Sequence, residues 1–499
     1  NATVDNNCSN RASNPAPLCI EANQRFLQTT GIAVARSLID SDKKTVPLRL
    51  MNPSNDTKVV YKHTTAAIGE SVLDTIQSED DSITAADTLP PYLQDLYKRS
   101  CGKLNDKQAV QAKKFFCRYK HVFASHKEDI GRTHLVRHTI PTGDARPIKQ
   151  RPYRQPLAKR EETRKQIKKM LKADIIEPSS SPWASPVVLC KKKDGTWRFA
   201  LDTWKLNEVT IKDSYPLPRI DDSLDALQGE PGERWYSTAD LASGFWQIEM
   251  DPQDAHKTAF TTYDGLYQFK VMPFGLTSAP ATFERLMETV LAGLHWKICL
   301  VYLDDFICFS DSFDKHLDHL GSILDRLHSA GLKLQPSKCE FFQHRVNYLG
   351  YVVSSQGIET DPAKTEVIRN WPQPSCVTQL KSFLGTCSYY RRFIDHFADI
   401  ARPLHHLTRA QVPFVWTDEC TTAMETLKEK LCNPPILAFP SPHGDYILDT
   451  DSSKFAYSGV LSQIQNGEER VLSLFSKAMT KEETRYCVTR QELLAVVRL

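Results

Sequence analysis

The 499-residue sequence contains no run approaching about 20 apolar residues, which excludes a membrane-spanning helix. It shows no basic, apolar, small-residue leader of the kind that directs secretion. Its 13 cysteines form no Cys-x-x-Cys pair and no Cys/His zinc spacing, which excludes a zinc finger or zinc knuckle. Several lie in apolar runs, as Cys299 and Cys308 do, and read as reduced, buried thiols of an intracellular chain. Asn1-Ala-Thr, Asn7-Cys-Ser and Asn55-Asp-Thr match the glycosylation sequon, a pattern short enough to arise by chance. Asp-Thr-Gly and Asp-Ser-Gly are both missing, so an aspartic protease centre is excluded. An internal repeat is also missing, which excludes a solenoid. Charge of either sign is not in excess: 63 Lys and Arg face 60 Asp and Glu, and the net +3 selects no partner. The chain starts at Asn1 and ends at Leu499 inside a helical pattern, so both ends read as cut from a longer translation product.

What is present is an ordinary globular composition, 41% hydrophobic and 25% charged, with length for about three or four domains. Charge is uneven along it. Between Arg146 and Lys172 stand 11 Lys or Arg residues against Glu161 and Glu162, and Lys191-Lys192-Lys193, Arg198 and Lys205 follow. Such a segment attracts phosphate backbones, although a solvated helix face has the same composition. Residues 45–62 alternate as short strands around Asn52-Pro-Ser-Asn, and 70–90 read as an acidic, polar linker. Helical spacing runs from Pro91 to Phe123, and Pro141–Pro156 is an extended basic arm. A helix is expected from Leu157 to Ala173, and a hairpin from Val187 to Leu201 around Lys193-Asp-Gly-Thr. Further helices are expected over 279–292, 313–329, 362–371, 376–396 and 417–432, a hairpin over 298–310, a strand pair from Tyr446 and a helix from Lys481 to Leu499. Strands interleaved with helices and antiparallel hairpins define an α+β chain.

Within the 298–310 hairpin, Val301-Tyr302-Leu303-Asp304-Asp305-Phe306 sets two adjacent carboxylates between apolar strands. Buried in a strand they would be costly; at a tight turn they are exposed together, and a divalent cation compensates them. An Asp-Asp pair alone is also an ordinary turn. A third carboxylate, Asp240, closes the short strand Tyr236-Ser-Thr-Ala-Asp240. Two metal ions about 3.5–4 Å apart need carboxylates converging from different segments, and Mg²⁺ binds through few of them plus substrate phosphates. Asp240, Asp304 and Asp305 meet that requirement.

From about Ala145 to Leu499 a set of motifs follows in order: Ser179-Ser-Ser-Pro-Trp-Ala-Ser-Pro-Val-Val, Lys191-Lys-Lys-Asp-Gly-Thr-Trp-Arg-Phe, Tyr215-Pro-Leu-Pro-Arg-Ile-Asp-Asp and Val271-Met-Pro-Phe-Gly-Leu-Thr-Ser-Ala-Pro-Ala-Thr-Phe. Then come Val301-Tyr-Leu-Asp-Asp, Gly331-Leu-Lys-Leu-Gln-Pro-Ser-Lys-Cys, Tyr348-Leu-Gly-Tyr and Phe383-Leu-Gly-Thr-Cys-Ser-Tyr-Tyr-Arg-Arg-Phe-Ile. With these the chain resembles the polymerase region of gypsy-type LTR retrotransposons (Metaviridae). The resemblance implies a right-hand fold of fingers, palm and thumb followed by a truncated ribonuclease H-like α/β domain. It implies a reverse transcriptase using two Mg²⁺ ions, with Mn²⁺ as a substitute, and acting on an RNA template, a DNA primer, their RNA–DNA hybrid and dNTPs. Asp240, Asp304 and Asp305 match the catalytic metal triad, and Phe245 matches the gate against a ribose 2′-hydroxyl. Arg198 and Lys193 match the fingers clamp on the triphosphate, and Phe274-Gly275 the loop at the nucleotide pocket. Lys338 matches a donor to pyrophosphate, and Leu349-Gly350-Tyr351 the primer grip.

Two departures stand out: Trp204 occupies the family's usual Arg position, and Ser278 its usual Asn. Further on, Tyr446-Ile-Leu-Asp449-Thr-Asp451 resembles the first strand of a retroelement ribonuclease H, and Tyr486–Val497 its first helix. Asp451 and Glu492 match two of its four carboxylates, and the other two are expected beyond Leu499, so the nuclease centre is expected to be incomplete. Asp449 reads as structural. The resemblance divides the chain into a post-protease linker (1–90), a helical segment before the fingers (91–144), fingers and palm (145–350), thumb (351–415), connection (416–444) and partial ribonuclease H (445–499). It implies no membrane partner and a cytoplasmic setting within virus-like particles. Two alternatives stay open: a non-catalytic, nucleic-acid-binding remnant of a decayed element, and an RNA-templated RNA polymerase, against which Phe245 and the ribonuclease H-like segment argue.

Overall fold

The computed structural model describes residues 88–499, apart from 127, 192–194, 196, 228–233 and 442, with short stretches before residue 72. Lys193 and most of the linker expected over 70–90 lie outside the described residues, as do the three sequon asparagines. The chain forms two units, Asn1–Ala86 and Asp87–Leu499. In the first, strand Leu18–Ala22 pairs antiparallel with Ser37–Ile39 and Ala67–Ser71. Thr45–Val46 and Leu50–Met51 are short strands, whereas residues 58, 60 and 61 carry none.

The second unit is built around a four-stranded antiparallel sheet in the order Cys299–Tyr302, Asp305–Ser310, Trp235–Asp240, Glu340–Gln343. Its central residues are sealed on both faces, because alternate side chains leave a strand on opposite sides. Val301, Phe306 and Cys308 join one apolar cluster with Phe283, Leu286, Leu320 and Phe341. Leu300, Ile307 and Tyr236 join another with Phe383, Leu384 and Phe393. Burial on both faces explains why these strands read as continuous apolar runs rather than alternating ones. Helices Ala279–Val290 and Phe313–Ser329 supply the first cluster, together with Pro91–Ser100 and Asp106–Arg118. The last of these starts in a capping box, Asn105 with Gln108, and places Phe116 5.8 Å from Phe341, ring to ring.

A five-stranded sheet stands beside it, in the order Trp197–Leu201, Ser185–Lys191, Phe260–Thr262, Gly265–Phe269, Ile176–Pro178. The basic helix Leu157–Lys172 packs on it through Thr163, Ile167 and Met170, one face at helical spacing, and leaves its other face charged and wet. Beyond the four-stranded sheet, a meander of Arg345–Tyr348, Tyr351–Ser354 and Gly357–Thr360 leads into helices Pro362–Arg369, Val377–Tyr389, Phe397–Leu407 and Asp418–Cys432. The single helix expected over 376–396 therefore ends at Tyr389, and a separate one follows His396, whose φ is +55°. Pro403 lies inside that second helix, where a proline normally argues for a break. Burial of Phe397, Ala401, Leu404 and Leu407 along one face outweighs the lost hydrogen bond. The pair expected from Tyr446 is a three-stranded sheet, Tyr446–Ser452, Ala456–Gln465 and Glu468–Ala478, against which helix Val488–Arg498 packs.

One close approach locks the region behind the central sheet. A Cβ at Gly131 would lie 2.6 Å from Gln247 Oε1 and 2.9 Å from Lys333 N, with the Gly331 carbonyl closer still. Backbone atoms cannot move aside as a side chain can. Gly131→Ala is expected to cost about 1–3 kcal/mol, seen as a lower urea midpoint with an unchanged m value.

Candidate active site

The cleft forms where the four-stranded sheet ends. Tyr302 pairs with Asp305 across a two-residue turn made by Leu303 and Asp304, and Asp240 is the cross-strand partner of Asp305. Register therefore brings Asp240 and Asp305 opposite one another, and the turn adds Asp304. Their environments differ. Asp305 is exposed at the rim, while Asp304 is partly buried and its Oδ1 has no hydrogen-bond partner. The expectation that the turn exposes both carboxylates together thus holds for one of them. A Cβ at Gly244 would stand 3.3 Å from Asp304 Oδ1 and 2.9 Å from the Phe283 ring, so the chain turns past Asp304 at van der Waals contact. Burial first, then the like charges of Asp240 and Asp305, push the Asp304 carboxyl up to about 6. Although its side chain reaches solvent, Asp305 is raised as well, by the partial loss of water around it and by Asp240, against the pull of Lys338.

Lys338 Nζ donates to Asp240 Oδ2 at 2.6 Å. Its backbone is anchored twice: Gln335 N donates to the Asp240 carbonyl, and the Arg99 guanidinium donates to the carbonyls of Pro336 and Cys339 at 2.9 and 2.7 Å. Helix Pro91–Ser100 thus fixes a lysine that lies some 240 residues away in sequence.

Phe245 sits in an aromatic group, 5.2 Å from Phe274 and 5.5 Å from Phe283 between centroids. Gly275 has φ +101°, and its carbonyl accepts from Thr203 Oγ1 (2.7 Å) and Asn207 Nδ2 (2.8 Å). The short helix carrying the first departure therefore braces the Phe274-Gly275 loop from its inner side, while Trp204 is 63% exposed and faces away. Ser278 Oγ accepts from Asp213 N at 3.3 Å, so the second departure keeps a polar contact. Arg198 is exposed on its strand, opposite Cys190.

Leu349 and Gly350 form a two-residue hairpin turn with φ of +49° and +76°, the left-handed pair that fits strand twist. Tyr389 and Tyr390 hydroxyls donate to the Leu349 and Gly350 carbonyls, and Tyr351 donates to the Tyr389 carbonyl at 2.9 Å. Leu349 and Gly350 line a cavity of about 340 Å³ together with Asp240, Asp305, Lys338 and Lys364. Thr203, Asn207, Tyr389 and Lys364 were not singled out from sequence. Asn207 stands three residues after Trp204 and Tyr389 lies in the Phe383–Ile394 motif, but Lys364 follows an ordinary helix start and carries no sequence signal. In the C-terminal sheet, Asp451 is exposed and Glu492 accepts from its neighbour Ser452 at 2.9 Å, so strand and helix bring the two carboxylates to one region.

Among the described residues no three His, Cys, Asp or Glu side chains converge closely enough to enclose an ion. A site for Mg²⁺ does not need such a cage, since phosphates and waters complete its shell. The unbonded, buried oxygen of Asp304 and the mutual repulsion of the three carboxylates fit a cation.

This crowding has a measurable consequence. Asp304 has a folded-state value raised from 3.8 to about 6, so its contribution to stability is intact below pH 4 and is lost as pH rises through 6. Asp304→Asn removes the penalty. The metal-free variant is expected to be more stable than the parent by about 1–3 kcal/mol at pH 7.5 and no more stable at pH 3.5. Thermal melts at both pH values, without and with Mg²⁺, check this, and Mg²⁺ should raise the melting temperature of the parent more.

Residues 190–353 match the family described as reverse transcriptase (RNA-dependent DNA polymerase), and residues 416–499 match the RNase H-like domain found in reverse transcriptase. The retrovirus-related Pol polyprotein of transposon 412 from Drosophila melanogaster is 34% identical over 475 residues, 94% of this chain and 37% of that protein. That of transposon gypsy from the same fly is 35% identical over 398 residues, 76% of this chain and 38% of that protein. The chain thus spans about two fifths of the length of these relatives. The foamy viral protease-reverse transcriptase solved with dsDNA superposes with a TM-score of 0.73 at 23% identity, covering 82% of this chain and 86% of that one. The form solved with RNA/DNA hybrid gives 0.71 at 22%, covering 81% and 55%. These solved structures share the fold: α+β, with the right-hand arrangement of a polymerase and an RNase H-like domain after it. Reverse transcriptases generally use divalent metal ions. By the two matched domains, their order and the relatives that share them, the chain belongs to the gypsy-type, retrovirus-related Pol family of LTR retrotransposons.

Proposed function

We propose that this chain is an RNA- and DNA-directed DNA polymerase that extends a primer 3′-end with dNTPs and releases pyrophosphate. The observation that carries the reading is the register of Asp240 against Asp305, beside a turn that adds Asp304 with a buried, unbonded oxygen. Asp240, Asp304 and Asp305 would hold two Mg²⁺ ions, or Mn²⁺ in their place. Bound there, the metals lower the pKa of the primer hydroxyl and balance charge on the triphosphate and leaving pyrophosphate. The chain's own groups do the positioning. Leu349 and Gly350, stapled by Tyr389 and Tyr390 and backed by the buried Tyr351, seat the primer end beside the carboxylates. Phe245, backed by Phe274 and Phe283, would be the bulky ring that discriminates deoxyribose from ribose. Arg198 offers a planar donor for phosphate oxygens, and Lys193, five residues earlier in the sequence, would add a point charge. Lys338 keeps a proton-bearing ammonium in the cleft for the departing pyrophosphate.

The template, primer and hybrid are supported as partners by the complexes of the foamy viral enzymes with RNA/DNA hybrid and with dsDNA. The basic arm and the wet face of helix Leu157–Lys172 supply positive charge for a phosphate backbone. We place the reaction in the cytoplasm, inside particles of the element, where buried thiols such as those of Cys299 and Cys308 stay reduced.

With poly(rA), oligo(dT), dTTP and Mg²⁺, the chain is expected to incorporate dTMP. Asp305→Asn should lower the rate at least about 1,000-fold, by removing charge that stabilises the transition state. Hybrid binding without incorporation, where an intact relative polymerises, would leave the non-catalytic reading in its place. Phe245→Ala is expected to raise ribonucleotide incorporation relative to deoxyribonucleotide by roughly 10- to 100-fold, since a steric gate of one ring is worth about 1–3 kcal/mol. Unchanged sugar selectivity in competition assays would remove the gate from Phe245.

A further inference from the structure

The turn that carries Asp304 is held from below by a residue outside the set recognised from sequence. Leu303 has φ +54°, a conformation that a Cβ disfavours and that glycine usually fills. Its N–H, pointing inward, donates to Glu284 Oε2 at 2.8 Å. Glu284 comes from helix Ala279–Val290 and is fully buried, 0% exposed. Its second oxygen, Oε1, has no partner, and neither do Asp304 Oδ1 and the Tyr348 hydroxyl. Burial drives the Glu284 carboxyl up to about 7, opposed by the Leu303 N–H. A carboxyl here is poor packing: methionine fills a similar volume without leaving a polar atom unpaired. The bond its Oε2 accepts comes from Leu303, and that bond fixes a strained residue next to Asp304.

We propose that Glu284 is a positioning residue for DNA synthesis, clamping the Leu303 N–H so that the turn presents Asp304 to the cleft. It touches neither nucleotide nor nucleic acid. A glutamine oxygen accepts the same N–H, while methionine preserves volume and abolishes the acceptor. The role rests on the polymerase reading above, and its consequence is selective: the reactive geometry and the metal requirement change, while duplex binding does not.

The test compares full-length wild type, Glu284→Met and Glu284→Gln in single-nucleotide incorporation on poly(rA)/oligo(dT). Glu284→Met is expected to lower kcat about 10- to 100-fold, the scale of a small misplacement of a reacting group. It should raise the Mg²⁺ concentration for half-maximal rate several-fold, about threefold or more, while KM for dTTP and Kd for the hybrid stay within about twofold. Glu284→Gln should recover most of kcat. Wild-type kcat and Mg²⁺ requirement in Glu284→Met overturn the proposal. So does equal loss in both variants, which would assign the effect to charge and not to the clamp. Should Glu284→Met fail to fold, hydrogen exchange in the wild-type chain decides: a protected Leu303 amide supports the clamp, and an amide exchanging at the rate of an open turn overturns it. Absence of incorporation by the wild type would instead strike the polymerase reading, so the two failures are distinguishable.

Discussion

Three negative charges share one end of a sheet that is buried on both faces, and the surrounding structure is arranged around that constraint. Strands Cys299–Tyr302 and Asp305–Ser310 have no polar exit along their length, because Leu300 and Ile307 face one core while Val301, Phe306 and Cys308 face the other. The turn is the place where carboxylates can leave this pair of strands. Antiparallel register then fixes which residue of the neighbouring strand meets them, and it is Asp240. Repulsion among the three is relieved at Asp240 by Lys338, whose own place depends on Arg99 in a helix far upstream. The first helices are therefore part of the site, although none of their residues enters the cleft.

Much of this was legible in the sequence, for local reasons. The hairpins at 187–201 and 298–310 announce themselves by apolar runs around a turn, and the helix over 157–172 by its residue types. Asp240 could be named because it closes a short strand, Tyr236-Ser-Thr-Ala-Asp240, and that is a local pattern. The remainder depends on contacts between distant segments. Asp304 and Asp305 look equivalent in sequence, yet packing of Gly244 and Phe283 against the turn separates them. Glu284 reads as a surface residue in Phe283-Glu284-Arg285, and its burial appears once the helix lies under the turn. The break between helices Val377–Tyr389 and Phe397–Leu407 rests on the left-handed His396, and Pro403 inside the second helix is a local signal overruled by one buried face.

The two hairpin turns flanking the cleft show how differently the same backbone problem is met. The turn at Leu349-Gly350 uses glycine for its second left-handed residue, and two tyrosine hydroxyls satisfy its carbonyls from the following helix. Leu349 is itself a branched residue at φ +49°, and the hydroxyl bonds hold it there. At Leu303 a branched side chain occupies the left-handed region as well, but its inward N–H depends on a buried carboxyl. By residue preference alone, glycine at 303 and an apolar residue at 284 would make the more stable protein.

That contrast gives a physical reason for where the molecule is least at ease. Strain at Leu303, an unpaired oxygen on Asp304, another on Glu284 and a carboxyl raised to about 6 all lie within one turn and the helix beneath it. The Leu349-Gly350 hairpin, which also lines the cleft, is stapled by Tyr389 and Tyr390, although the Tyr348 hydroxyl at its base is unpaired. A group that must hold cations and release them needs carboxylates that are not already neutralised by protein donors, and an unbonded oxygen at Asp304 meets that need at a cost in stability. A surface that seats a duplex end needs a fixed shape, and hydroxyl-to-carbonyl bonds provide it. On the proposed reading, the division of labour between the two turns follows from what each would bind.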